Sequence, residues 1–211
     1  LGALAAIGPE ARATDLFPGR EQDSALRSTS VPSSPSEASA GWRCRLALVE
    51  GHCRAVALPY GASRSAEVIA LCDAAMASDV TGMRLAPDHV LLLDKATDAL
   101  IDHADTLGFI TTTDDPRNRV SACIGSQGCA SGHIAARDIA AQLAPRLPTG
   151  QTLHVSGCSK GCAHPRAADV TLIGQADGIG LVFAGCAGDT PSKLVDAAAL
   201  GAGVVPFQGG R

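Results

Sequence analysis

Four cysteines fall in two close pairs, Cys123-Ile-Gly-Ser-Gln-Gly-Cys129 and, 28 residues on, Cys158-Ser-Lys-Gly-Cys162. Thiolates bind soft metals, and four of them are what a [4Fe–4S] cube takes. The interleaved glycines let backbone amides approach sulfur with no Cβ in the way. The competing reading is an all-cysteine zinc site, which takes the same four thiolates in a tetrahedron. Structural zinc pairs usually sit two to four residues apart, so the five-residue gap counts against zinc. Disulfides are a third reading. Cys44, Cys53, Cys72 and Cys186 have no such spacing and read as small, buried, free thiols.

Charge adds an independent clue. Between Pro116 and Arg166 stand Arg117, Arg119, Arg137, Arg146, Lys160 and Arg166 against the single acid Asp138, a balance of +5 in a chain of net −4, which leaves −9 for the rest. A basic patch on the cysteine segment of an acidic chain suits an anionic cluster, an anionic ligand, or both. The competing reading is that these side chains offset the thiolates or sit in water.

These residues need elements to position them. An apolar run at Ala55–Leu58 predicts a strand, and Ser65–Ala77, with Val68, Ile69, Leu71, Cys72 and Met76 near helical spacing, predicts a helix. Gly82–Leu85 and Val90–Leu93 predict two strands around Ala-Pro-Asp-His, and Ala96–Leu107 a second helix stopped by Gly108. That succession is an α+β half-unit with helices on one face of a small sheet. Beyond it, Ser131 is expected to cap a helix running to Ala144, with Ala135, Ile139 and Leu143 on one face. Residues Thr152–Ser156 alternate like a strand, Thr171–Ile173 and Ile179–Phe183 flank a hairpin turn, and Pro191–Leu200 reads as a last, Ala-rich helix. The expected division is a remnant and disordered Ser/Pro-rich linker over 1–41, an α+β half-domain over 42–115, and a cluster domain over 116–211.

Composition narrows the classes. Aromatics are only 3% of 211 residues, which argues against stacking platforms for single-stranded nucleic acid, and the net charge argues against coating nucleic acid or an anionic membrane. No apolar run reaches the ~18 residues that span a bilayer. The chain opens at Leu1 without a basic leader and reads as a fragment; its eight cysteines then point to a reducing compartment, the cytoplasm.

The Cys-x5-Cys and Cys-x3-Cys motifs resemble the iron–sulfur half of the nitrite and sulfite reductases, and the preceding α+β unit resembles their ferredoxin-like half-domain. The wording around them, Ala122-Cys-Ile-Gly-Ser-Gln-Gly-Cys-Ala-Ser-Gly and His154-Val-Ser-Gly-Cys-Ser-Lys-Gly-Cys-Ala-His-Pro, is more similar to the precorrin-3B synthase family of that superfamily. The reductases usually carry Pro-Asn where this chain has Ser159-Lys160, and they lack His164-Pro165. The resemblance runs from about Cys53 to Val205.

It implies an α+β protein: a nitrite/sulfite reductase ferredoxin-like half-domain followed by a 4Fe-4S-binding nitrite/sulfite reductase-like domain. It implies a cluster held by Cys123, Cys129, Cys158 and Cys162, with tetrapyrrole contacts sought at Lys160, Arg117, Arg119, Arg166 and His164. Lys160, between two ligands, would lie close to the cluster and could reach a ring carboxylate. The activity implied is O2-dependent hydroxylation of precorrin-3A with closure of a lactone, in cobalamin biosynthesis, using the cluster, a non-haem iron and an electron donor. The alternatives are a siroheme nitrite or sulfite reductase fragment, in which Cys162 would bridge to the haem iron, and a non-catalytic Fe-S or zinc-binding module. Two departures stand out. Full-length relatives contain two related halves with the active site between them, so this chain is expected to lack an N-terminal half. Asp88-His89 also replaces the Trp-Arg or Gln that follows the corresponding family turn.

Overall fold

The computed structural model describes residues 53–196, Leu200 and Phe207. All of them belong to one compact unit. The expected remnant and linker, with Trp42 and Cys44, lie outside the described residues.

The first sheet has order β1-β3-β2 and is antiparallel throughout: β1 (Cys53–Ala57), β2 (Gly82–Ala86) and β3 (Val90–Asp94). The run Val-Leu-Leu-Leu takes the centre because a strand paired on both edges and covered on both faces tolerates apolar residues at every position. Leu91 and Leu93 join Val56 and Phe109 in the core under two helices, α1 (Ser65–Met76) and α2 (Asp98–Thr106), which supply Leu71, Ala75, Leu100, Ile101 and Ala104. Val90 lies on the other face with Ala55, Ala57 and Ile110. The Thr97 hydroxyl caps α2, accepting from the Leu100 N–H at 3.3 Å. Between β2 and β3 the chain turns at Pro87–His89, where Asp88 and His89 both have positive φ.

The second sheet, order β4-β5-β6-β7-β8, mixes directions. Strands β4 (Val120–Ala122), β5 (Leu153–Ser156) and β6 (Ala168–Gln175) run parallel, while β7 (Gly178–Gly185) and β8 (Lys193–Val195) continue antiparallel. Helix α3 (Ala136–Leu143) crosses from β4 to β5 and buries Ala136, Ala140 and Leu143 against Val120, Ala122, Leu153 and Val155.

Three details differ from the sequence reading. The helix expected from Ser131 begins at Ala136, because residues before it are held by other partners: the His133 N–H donates to Gly157 O at 2.8 Å and Ile134 O accepts from Ser126 N–H at 2.8 Å. Its buried stripe therefore falls on residues 136, 140 and 143. The helix expected over Pro191–Leu200 contains a strand instead, since Lys193–Val195 pairs with the otherwise open edge of β7 and Ser192 donates to Leu181 O. Residues 197–199 lie outside the described residues. Strand β4, three residues long, carries too short a pattern to be read from sequence. No helix among the described residues is long and apolar enough to cross a membrane.

Candidate metal centre

Parallel pairing brings the two motifs together. Ala122 stands opposite Val155, so β4 and β5 end side by side and release Cys123 and Cys158 from the same edge of the sheet. The pairing runs one step further, with the Cys123 N–H donating to Val155 O at 3.3 Å. The Gly157 N–H then donates to the Cys123 sulfur at 3.0 Å. That bond fixes the position of the Cys123 sulfur beside the second cysteine loop.

The loops that carry the second cysteine of each pair are built on glycine. Gly125 has φ +63° and turns the chain so that Cys129 N–H reaches Gly125 O at 2.9 Å. A Cβ on Gly157 would sit 2.8 Å from the Gly125 Cα and 3.3 Å from the Cys123 sulfur. Gly132 packs on Gly125 and Gly174 on Gly157 at comparable range, so the backbones of four glycines form a column behind the cysteines. Cys123 and Cys158 are half-buried, whereas Cys129 and Cys162 are exposed, and every cysteine among the described residues is a free thiol. The exposed pair leaves one side of the site open, with Ile124 41% exposed beside it. Among the described residues, no three of His, Cys, Asp and Glu are close enough to hold a single metal ion. The four ligands of a cube each meet a different iron and need not converge on one point.

The basic residues divide. Arg117 is committed to structure: it pairs with Asp115 at 2.6 Å and donates to the carbonyls of Gly108 and Phe109. That carboxylate partner raises its pKa still further. Arg119 donates to Pro148 O and Gln151 O at 2.7 and 2.8 Å, tying β4 to the turn before β5. Both stand at the strand ends away from the cysteines, with these donors turned inward to the fold. Lys160 is exposed and donates to the Ser131 hydroxyl at 3.0 Å, joining the two cysteine loops. Arg166 is exposed in the segment after Cys162, and His164 is buried there.

One residue of the site escaped the sequence reading. His154 lies on β5 with 0% exposure, in a cross-strand row with Ser121 and Thr171 on the face opposite α3. Its ring stands edge-on to His164, centroids 5.7 Å apart. Burial, and secondarily the neighbouring His164, push its pKa down to about 4, so the ring is neutral near pH 7. The available signal was the alternation of Thr152–Ser156, which sets His154 and Ser156 apart from the core-facing Leu153 and Val155.

No family model matches the chain. It is 35% identical over 220 residues to precorrin-3B synthase of Sinorhizobium sp, an overlap covering 95% of this chain and 46% of that protein. The chain thus spans about half the length of that relative. Among solved structures it superposes on the Mycobacterium tuberculosis NirA protein with TM-score 0.51 and 24% identity, over 62% of this chain and 28% of that one. Dissimilatory sulfite reductase I overlaps more loosely, with TM-score 0.42 and 14% identity over 57% of this chain and 32% of its own.

Proposed function

We propose, for a chain that is a relative of precorrin-3B synthase on the nitrite/sulfite reductase fold, that it is the cluster-bearing part of a precorrin-3B synthase-like oxidoreductase. The observation that carries the reading is the release of both cysteine loops from the carboxyl ends of neighbouring parallel strands, with a backbone N–H already donated to the Cys123 sulfur. Cys123, Cys129, Cys158 and Cys162 would hold a [4Fe–4S] cube, which when bound passes electrons one at a time. The glycine column fits such a group, because a Cβ on Gly157 would press on the Gly125 backbone and come within 3.3 Å of the Cys123 sulfur.

The chain's own residues then have separate tasks. The Gly157 N–H holds the Cys123 sulfur in place. The exposed side, around Cys129, Cys162 and Ile124, faces the incoming ring. Lys160 and Arg166 stand on that side to meet ring carboxylates, while Arg117 and Arg119 act through the fold's charge rather than by contact. In the overall reaction one oxygen atom of O2 enters the precorrin-3A ring and the other leaves as water, an electron donor supplying two electrons and two protons; a ring acetate closes to the lactone. The non-haem iron that the resemblance implies finds no three ligands among the described residues. The free thiols suit a reducing cytoplasm.

The test is to join this chain to the remaining half of a precorrin-3B synthase and supply precorrin-3A, a reductant and 18O2. The expected product is a hydroxylated lactone carrying one 18O. A siroheme spectrum with reduction of nitrite or sulfite, and no hydroxylation, would reassign the chain to the reductases.

A further inference from the structure

His154 poses a question that the protein alone does not answer. It is fully buried, yet neither Nδ1 nor Nε2 has a hydrogen-bond partner among the described residues. A neutral imidazole carries one donor and one acceptor, and leaving both unmade in the interior is costly. Its neighbour on the row, Thr171, is satisfied: its hydroxyl donates to Gly185 O at 2.8 Å. The ring lies beneath the turn that joins Cys158 to Cys162. A Cβ built on Gly161, which has φ +62°, would sit 3.8 Å from His154 Cε1 and 3.2 Å from Ala187 Cβ. Only glycine lets the cysteine turn come down onto this ring and onto the β7–β8 loop together.

We propose that His154 is a positioning residue for the cluster: it supports the Cys158–Cys162 turn from below and, once a cluster is bound, would give its imidazole N–H to the cluster sulfurs on that side. The inference rests on the cluster reading above and deepens it. A buried neutral donor close to cluster sulfur stabilises the more electron-rich state, so it raises the reduction potential without ligating iron. The depressed pKa of His154 supports a ring that stays neutral while doing this. The Gly157 N–H does not replace it, since it serves Cys123, in the other cysteine pair.

The experiment uses anaerobically purified protein whose iron and acid-labile sulfide are measured in every sample. Absence of cluster from the wild type overturns the cluster reading itself and is thereby separated from failure of this inference. With the cluster present, His154→Leu should lower the reduced-to-oxidised ratio at a fixed potential about tenfold, equivalent to about 59 mV for a one-electron couple, while His154→Gln, which keeps an N–H, should stay near wild type. Pulsed EPR on the reduced wild type grown with 15N-histidine gives a second readout that needs no foldable variant. It should show a weak imidazole nitrogen coupling that His154→Gln removes and His164→Gln leaves. An unchanged potential in His154→Leu, or no coupling in the wild type, would overturn the proposal and leave the ring to a buried water.

Discussion

If the two loops hold a cube, each of the four sulfurs is a single point of failure, because a cube with an unsatisfied iron is open to solvent and loss. Replacing Cys123, Cys129, Cys158 or Cys162 by Ser should strip most of the iron and sulfide. Cys186→Ser is the matched control: its turn packs on the cysteine turn through Ala187 and Gly188, yet it lies outside the ligand set, so cluster content should hold. Iron and sulfide counts on the five variants check this, and a loss confined to Cys186→Ser would reassign the ligands. Lys160 separates two further roles. Its bond to Ser131 is exposed, so the link itself is worth little in stability, about 1 kcal/mol or less. If its charge serves the cluster, Lys160→Asn should lower the reduction potential; if it serves the ring, the same change should weaken tetrapyrrole binding with iron and sulfide intact. Titrating both on one variant decides, and no change in either returns Lys160 to the surface.

At the scale of elements, the cysteine loops depend on how closely their glycine backbones approach. Gly157→Ala would press its Cβ on Gly125 and should destabilise the protein by roughly 1–3 kcal/mol while lowering cluster content, though no cysteine is touched. Thermal midpoints with iron analysis read both effects, and a fully loaded, undisturbed variant would show that the column is not a constraint. A second element tests the electrostatics of the α+β unit. Bonds from Ser63, the Arg64 N–H and the Arg64 guanidinium hold the Glu67 carboxyl at about 2, at the start of α1. Its folded pKa lies below its ordinary value of 4.5, so this support is present above pH 4.5 and is lost as pH falls toward 2. Glu67→Gln should flatten the thermal midpoint across that window, and an unaltered pH profile would contradict the assignment.

These elements also mark what could be read in advance. The continuous apolar run of β3 and the helical spacing in α1 are strong enough to declare themselves, and the hairpin of β6 and β7 follows from Gln175-Ala-Asp-Gly178. Ser131 looked like a cap, but Gly132 must lie flat on Gly125 and His133 is bonded to Gly157, contacts between residues far apart in sequence. The strand at Lys193–Val195 was hidden for the same reason, since only the open edge of β7 overrides helical propensity there. Among site residues, spacing marked the four cysteines, whereas nothing local revealed that Arg117 and Arg119 spend their donors on carbonyls or that His154 would be buried without partners.

At the scale of the whole molecule, the chain matches 46% of its relative, and a ring needs more than one wall. We expect the 211 residues alone to show little or no turnover of precorrin-3A, and activity to return when the rest of the relative's length is supplied. Robust conversion by the chain alone would show that the site is already complete. All of these expectations descend from one claim, that the two cysteine loops hold a cube. The most direct measurement is metal and acid-labile sulfide analysis, with a visible spectrum, on anaerobically purified protein. The expected result is about four iron and four sulfide per chain with broad thiolate-to-iron absorption, and stoichiometric zinc with no labile sulfide would contradict it.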